Sequence, residues 1–113
     1  EKYQQTRYHS DGTIVVTDDW TDKKNPHLEA EYKPNAVVDT VSRGGKQRDR
    51  MIYDENGRQK NTISNGPHAN PKQHPFGQRG EHAHDIVWKD GKIVSRNVRE
   101  LTDQERKENA DIL

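Results

Sequence analysis

The sequence predicts an α+β fold that is mostly β: a twisted antiparallel sheet built from hairpins, with a short C-terminal helix. Three turn dipeptides, Asp11-Gly12, Asn56-Gly57 and Asp90-Gly91, each separate two candidate strands. Such dipeptides are the strongest short-range signal of a β-hairpin. The apolar residues also fall in short β-branched runs (TIVV, AVVDTV, DIVW and KIV), which is typical of strands. Together these features favour a sheet of sequential strands.

The last segment of the chain predicts the helix. Thr102 and Glu105 form a T-x-x-E capping box, and Asp103 adds a negative charge to the first turn. We therefore expect a helix from about 103 to 110. Few of its residues are apolar, so we expect it to dock on the sheet through its ends. The apolar residues there are Leu101, Ala110, Ile112 and Leu113.

Composition indicates a single small domain with a thin core. The chain has 113 residues, of which 27% are hydrophobic and 34% charged, and its mean hydropathy is -1.40. Its net charge is zero, whereas disordered chains usually combine low hydrophobicity with high net charge. We expect residues 1–45 to form an N-terminal hairpin and an irregular segment, and residues 46–113 to form the core. The absence of cysteine excludes disulfides and thiolate metal sites.

The sequence also bears on the setting of this domain. No apolar run approaches the length needed to span a bilayer, and no signal-peptide pattern is present. The first residue is Glu1 and not Met. We therefore expect the chain to be a segment of a larger protein.

The histidines are concentrated between Gly66 and Trp88. This stretch, GPHANPKQHPFGQRGEHAHDIVW, holds four of the six histidines: His68, His74, His82 and His84. Alternate residues of a strand share a face, so His82, His84, Ile86 and Trp88 are predicted to point one way. Glu81, Ala83, Asp85 and Val87 are then predicted to point the other way. His68 and His74 lie in the preceding loop, which is able to fold back over the histidine side.

Paired histidines favour general acid–base catalysis on a phosphodiester. Metal-independent RNA cleavage needs a base for the 2′-hydroxyl proton, an acid for the leaving 5′-oxygen and a cation for the phosphate oxygens. Residues 46–100 carry 11 Lys and Arg against 7 Asp and Glu, a balance of +4 that suits an anionic substrate. The candidate catalytic residues are the four clustered histidines. The candidate substrate-binding cations are Arg48, Arg50, Arg58, Lys60 and Arg79.

Two other interpretations of the histidines stay open. His82 and His84 place two nitrogens on one side of a strand, and His68, His74 or a carboxylate would complete a tetrahedral site for one Zn²⁺ ion. Alternatively, they are surface residues of a polar chain with no chemical task. The chain has no P-loop or dinucleotide fingerprint, and no G-x-S-x-G context around Ser42 or Ser64. A serine hydrolase is therefore not expected.

Three phrases of the sequence carry a family resemblance. RGGKQRDRMIYDENGR, GPHANPKQHPFGQRGEHAHD and RELTDQERKENADIL resemble the C-terminal toxin domains of bacterial polymorphic-toxin systems. The class that they resemble is called polymorphic toxin type 24. Similar segments occur at the ends of phage head-morphogenesis proteins. The resemblance covers about residues 43–113.

The resemblance implies a domain released from a large secreted carrier and delivered into a neighbouring bacterium, where it acts in the cytoplasm. Many such domains are ribonucleases, several with a barnase- or colicin-like architecture of a helix on an antiparallel sheet. That architecture places its helix before the sheet, whereas the helix expected here comes last. By this resemblance, catalytic roles fall on His68, His82 and His84, and further roles on His74 and Arg79.

The resulting expectation is an endoribonuclease toxin that needs no metal or other cofactor and is a monomer with no membrane segment. A cognate immunity protein neutralises such a toxin. We expect that partner to be acidic and to cover the Gly66–Gly80 loop together with Arg48, Arg50 and Arg79, because charge complementarity speeds association. The alternatives are a metal-dependent DNase toxin and a non-enzymatic structural or binding module of a phage.

Overall fold

The fold is a mostly β domain, seen in a computed structural model that describes residues 6–8, 13–16, 28–41, 48–66, 77 and 79–113. For residues 6–8 and 14–16 it describes the backbone alone. The elements of the described part are β1 (Thr6–Tyr8), β2 (Ile14–Val16), β3 (Val37–Val41), β4 (Arg48–Tyr53), β5 (Gln59–Ser64), β6 (His82–Lys89), β7 (Lys92–Arg99) and α1 (Asp103–Glu108).

The described strands form one sheet whose spatial order is the order of the sequence. Strands β3 to β7 form a five-strand antiparallel meander, which confirms the expected hairpin-built sheet with a C-terminal helix. One pair departs from the expectation: β2 runs parallel to β3. The connection between them covers residues 17–36. It is long enough to return the chain to the same end of the sheet, as parallel neighbours require.

The hairpin turns follow from local backbone chemistry. Asp90 and Gly91, between β6 and β7, both have positive φ (53° and 76°), as a type I′ turn demands. Gly57, in the β4–β5 turn, has φ 81° and lies against the Tyr32 carbonyl. Any residue with a Cβ at this position would collide with that carbonyl. Strands β1 and β2 pair antiparallel as expected, while the Asp11-Gly12 turn itself lies outside the described residues.

The helix begins as the sequence predicts and ends earlier. The Thr102 hydroxyl accepts a hydrogen bond from the Glu105 backbone N–H (3.1 Å), and the Glu105 carboxylate accepts one from the Thr102 N–H (3.0 Å). This is the expected capping box. Asn109 ends the helix, so α1 covers Asp103–Glu108 instead of 103–110. None of the residues of α1 is buried, which confirms that it docks through its flanking residues.

Two small apolar clusters lie on opposite faces of the sheet. On the first face, which we call the helix face, Ile63 and Ala83 pack against Leu101 and Ile112 on either side of α1. The second we call the histidine face, because His82 and His84 lie on it. Its cluster comprises Val38, Met51 and Tyr53, covered by Leu28, Tyr32 and Ala36. The core is therefore divided by the sheet and thin on both sides.

Candidate active site on the histidine face

His82 and His84 form a pair of rings on β6. Their ring centroids are 4.8 Å apart, and the ring planes meet at 77°. On the neighbouring strand, His82 is in register with Ser64 and His84 with Thr62. Ala83, between them, packs into the cluster beneath α1. The predicted alternation of β6 is thus confirmed, and the two imidazoles share the face opposite the helix.

The environment of His82 determines which ring nitrogen carries a proton. The side chain is 0% exposed, and its Nδ1 lies 2.7 Å from the Gly80 carbonyl oxygen. A carbonyl oxygen only accepts, so Nδ1 donates and, in the neutral ring, Nε2 holds the lone pair. Gly80 has φ 82°, a left-handed conformation that suits glycine and places its carbonyl beside the ring.

His84 is the more accessible member of the pair. It is partly exposed, and its Nδ1 lies 3.2 Å from the Thr62 hydroxyl on β5. A hydroxyl can donate or accept, so this contact suits either tautomer of the imidazole. Of the two rings, His84 is therefore the one that a ligand reaches without displacement of other groups.

A row of polar side chains continues from His82 across three more strands. The register pairs Thr40 with Asp49, Asp49 with Ser64, and Ser64 with His82. Thr40 and Ser64 are buried. Local sequence patterns did not point to Thr40, Asp49 or Thr62, because only strand register brings Thr62 beside His84 and puts Thr40 and Asp49 in the same row as His82. Buried polar groups are normally hydrogen-bonded, and the Thr40 hydroxyl donates to the Asp49 carbonyl (3.5 Å).

Arg50, an expected substrate-binding cation, is engaged by groups of its own chain in this structure. It lies on the helix face, where its five N–H groups make five hydrogen bonds, to Asp39, Asn109 and Asp111. The hydrogen bond to Asp39 is the largest of the effects that raise the pKa of Arg50 above its ordinary value. A guanidinium has five N–H donors, so none remains for a phosphate in this arrangement.

The other expected cations are divided between the faces. Arg48 and Lys60 belong to the helix face with Arg50. Arg48 is two residues from Arg50 on β4 and so shares its face, and Lys60 lines a cleft beneath α1. The Arg79 side chain is 67% exposed, and its Nη2 donates to the Leu113 carbonyl (2.9 Å). Only Arg58 of the five lies against a histidine-face residue, with its guanidinium carbon 4.9 Å from the Trp88 ring centroid.

One cation was missed by the sequence analysis. Arg96 is exposed on β7, in register with Ile86 of β6, and so lies on the face of His84 and Trp88. Its pairing depends on an irregularity in the β6–β7 ladder: Val87 pairs with Ser95 and Trp88 with Ile93, which leaves Val94 as an extra residue. No local sequence pattern predicts this bulge.

The metal interpretation rests on residues that the structure leaves out. His68 and His74 lie outside the described residues, so their distance from His82 and His84 stays a prediction. Within the part of the chain that is described, no group of three or more His, Asp or Glu residues is placed to hold a metal ion. His82 and His84 would supply two of the nitrogens of such a site.

A separate cleft of about 590 Å³ lies on the helix face. Val37 and Ile52 form its apolar wall, while Lys60, Asn61 and Glu108 are among its polar residues. Arg99 also lines it, but its five N–H groups are engaged by Asp85, Glu105 and the Glu100 carbonyl. The cleft contains neither histidine of the pair.

Comparison with protein-family models, curated proteins and solved structures found no match to this chain. Among the described residues, α1 is too short and too polar to cross a bilayer. The fold and the site therefore have to be interpreted from their own chemistry.

Proposed function

We propose that this chain is an antibacterial toxin domain that cleaves RNA, with the His82–His84 pair carrying the proton transfers. The observation that supports this most is the pair itself: two imidazoles 4.8 Å apart on one strand, one buried and one partly exposed, beside the buried Ser64. Acid–base chemistry on a phosphodiester requires two proton-transfer groups, and the pair supplies two imidazoles.

The reaction uses the 2′-hydroxyl of RNA as its nucleophile. A neutral imidazole removes the 2′-hydroxyl proton, the 2′-oxygen forms a bond to phosphorus, and the bond from phosphorus to the 5′-oxygen breaks. A protonated imidazole gives its proton to the leaving 5′-oxygen. The products are a 2′,3′-cyclic phosphate and a free 5′-hydroxyl. Cations that contact the non-bridging oxygens stabilise the charge that develops on them.

The two rings differ in their access to the substrate. His84 is exposed enough to contact the substrate directly. His82 is buried, and its bond to Gly80 leaves Nε2 as its acceptor nitrogen. A proton transfer between His82 and RNA therefore requires neighbouring groups to move away from Nε2. Arg58 and Arg96 are cations of the described residues on the side of the sheet that holds the histidine pair, and we assign them in place of Arg50.

The proposed biological setting rests on the resemblance to polymorphic-toxin domains. In that setting a larger carrier delivers the domain into a competing bacterium, and the producing cell makes a cognate acidic immunity protein. Exposed cations such as Arg79 and Arg96 suit that partner, whereas Arg50 is already paired with carboxylates of its own chain. The helix follows the sheet here, so a relation to barnase- or colicin-like enzymes would require a different order of elements.

The direct test is to incubate the purified domain with total bacterial RNA and with plasmid DNA, each with and without EDTA. We expect discrete cleavage of RNA in both conditions, 2′,3′-cyclic phosphate ends, and intact DNA. His84→Ala should remove this activity, whereas His27→Ala, outside the cluster, should retain it. DNA cleavage that stops with EDTA would establish the metal-dependent DNase instead, and no cleavage of either nucleic acid would favour the structural module.

A further inference from the structure

Trp88 lies on the same face as His84, at the far end of the same strand. The two residues are four positions apart on β6, which corresponds to about 13 Å along a strand. Trp88 is partly exposed, and Ile86 lies between it and His84. The face therefore presents an imidazole and an indole at a separation that a short oligonucleotide can span.

The indole of Trp88 is held in a defined orientation. Its Nε1 donates to the backbone carbonyl of Gln59 (2.8 Å), and Gln59 is buried. The Arg58 guanidinium lies over the ring at 4.9 Å. The backbone N–H of Arg58 in turn donates to the Asp54 carboxylate (3.0 Å) within the β4–β5 turn. The pair thus places a cation beside an indole whose orientation is set by its own hydrogen bond.

A second arginine lies on the same face as this pair. Arg58 lies over the Trp88 ring, and Arg96, which pairs with Ile86, lies on the same face. Lys89 and Lys92 pair with each other at the end of the β6–β7 hairpin, on the opposite face. Arg96 is exposed and opposite Ile86, midway between Trp88 and His84. Indole and guanidinium groups are surfaces on which unpaired bases stack. A cation between that stacking surface and His84 is placed to contact a backbone phosphate.

We propose that Arg58, Trp88 and Arg96 form a binding track for single-stranded RNA. A base stacks on the Arg58–Trp88 pair, and Arg96 contacts a phosphate between that base and the nucleotide at His84. The choice of RNA as ligand rests on the proposed function. The track adds a preference for unpaired RNA, because a base within a duplex is not accessible for stacking.

Fluorescence of Trp88 tests the track without any cleavage. The chain has two tryptophans, so Trp20→Phe leaves Trp88 as the only one. The probe is a 2′-O-methyl tetranucleotide, whose blocked 2′-oxygen prevents the proposed reaction. We expect this probe to quench the fluorescence of Trp88 in a saturable manner, and a preformed duplex of the same sequence to leave it unchanged. Equal quenching by the duplex, or none by the tetranucleotide, would overturn the proposal.

Variants identify the residues responsible, with binding followed by fluorescence anisotropy of an end-labelled probe. Trp88→Ala should weaken binding roughly 10- to 100-fold, the range typical of one lost base stack. Arg96→Gln should weaken binding and lower the dependence of affinity on salt by about one counterion. The matched control is Lys60→Gln, a lysine of the helix face, which should change neither. Equal effects of Arg96→Gln and Lys60→Gln would show that general charge, not the track, binds the probe.

Arg58→Gln provides a variant that keeps the Trp88 side chain in place. This variant should retain the circular dichroism spectrum of the parent and still bind the probe more weakly. That result would separate a loss of stacking from a loss of the fold. The track and the catalytic proposal also fail separately. Binding that depends on Trp88 without any RNA cleavage would contradict the proposed enzyme and retain the track. Cleavage that is unaffected by Trp88→Ala and Arg58→Gln would contradict the track alone.

Discussion

At the scale of single residues, arginines with complete sets of internal partners stabilise the helix face. Arg50 and Arg99 each make five hydrogen bonds, four of them to carboxylates in each case. Asp39, one partner of Arg50, is only 1% exposed. A buried carboxylate is tolerated when it is paired and costly when it is not. These arginines are therefore expected to matter for stability and not for substrate binding.

Arg50→Ala should destabilise the domain strongly, because it leaves the Asp39 carboxylate buried without its cation. Loss of one partner of a buried ion pair costs about 3–5 kcal/mol, which is much of the stability of a small domain. Urea unfolding followed by circular dichroism measures the change. Arg96→Ala is the exposed control and should shift the free energy of unfolding by less than about 0.5 kcal/mol. Similar values for the two variants would mean that Arg50 does not anchor this network.

A single substitution can separate the structural hydrogen bond of His82 to Gly80 from its proposed proton transfer. In His82→Asn, the side-chain amide nitrogen can replace Nδ1 as the donor to Gly80, while Nε2 is removed. We expect a folded protein whose RNA cleavage falls by about 10²–10⁴-fold, the usual loss for an acid–base group. Thermal unfolding checks the fold, and a fluorogenic RNA substrate measures the rate. A folded His82→Asn variant with full activity would leave His84 as the sole candidate of the pair.

At the scale of elements, ion pairs of α1 with the sheet add to the packing of the flanking residues Leu101 and Ile112. Glu105 links both features: it caps the helix through Thr102 and receives two hydrogen bonds from Arg99 (2.8 and 2.9 Å). The bond from Arg99 is the main cause that lowers the pKa of Glu105 to about 2. Arg106 adds bonds from α1 to the carboxylates of Glu81 and Glu100.

The helix attachment should weaken in acid. Because the pKa of Glu105 is depressed in the folded protein, its contribution is complete above the ordinary value of about 4.5 and is lost as pH falls through about 2. We expect a loss of about 1–2 kcal/mol across this window, less than the full shift implies, since the Arg99 side chain is 34% exposed. Urea unfolding between pH 2 and pH 7 measures it.

Glu105→Gln is the matched variant for that measurement, because glutamine preserves the capping box but carries no charge. It should be less stable than the parent at pH 7 and lose less on acidification. Thr102→Ala removes the cap instead, and should cost about 1 kcal/mol at all these pH values. If the parent and Glu105→Gln had the same slope with pH, the ion pair with Arg99 would contribute nothing to α1 docking.

At the scale of the whole molecule, the sheet separates two surfaces with different tasks. The helix face contains the arginine–carboxylate network, which we interpret as the structural support of the fold. The histidine face contains the imidazole pair and the Arg58–Trp88 pair, which we propose as the catalytic and RNA-binding parts. Substitutions on the two faces should therefore affect different properties.

The pH profile and the metal dependence of the reaction should distinguish the two chemistries that the histidines allow. Catalysis by one neutral and one protonated imidazole gives a bell-shaped dependence of kcat on pH and persists in EDTA. A metal-bound hydroxide would lose activity on chelation and regain it with Zn²⁺ or another divalent ion. We expect the first result with the purified domain. Activity that needs a restored divalent ion would reassign His82 and His84 as ligands.

The sequence by itself determined the features that depend on neighbours along the chain. Asp90-Gly91 adopts positive φ because of its own two residues, Thr102 caps α1 three residues away, and the period of two in β6 places His82 and His84 on one face. Each of these signals lies within a few residues, so local patterns were sufficient for the hairpins, the helix start and the histidine pair.

Only the tertiary structure decided the partners that are distant in sequence. Arg50 meets Asp111 across 61 positions, and Arg96 lies on the histidine face because of a bulge opposite Val87 and Trp88. The parallel pairing of β2 and β3 likewise depends on a long connection. Strand register and packing determine these contacts, and a charged residue has the same local pattern whether it binds a ligand or its own chain. That is why Arg50 looked like a substrate cation in the sequence and belongs to the structural network in the fold.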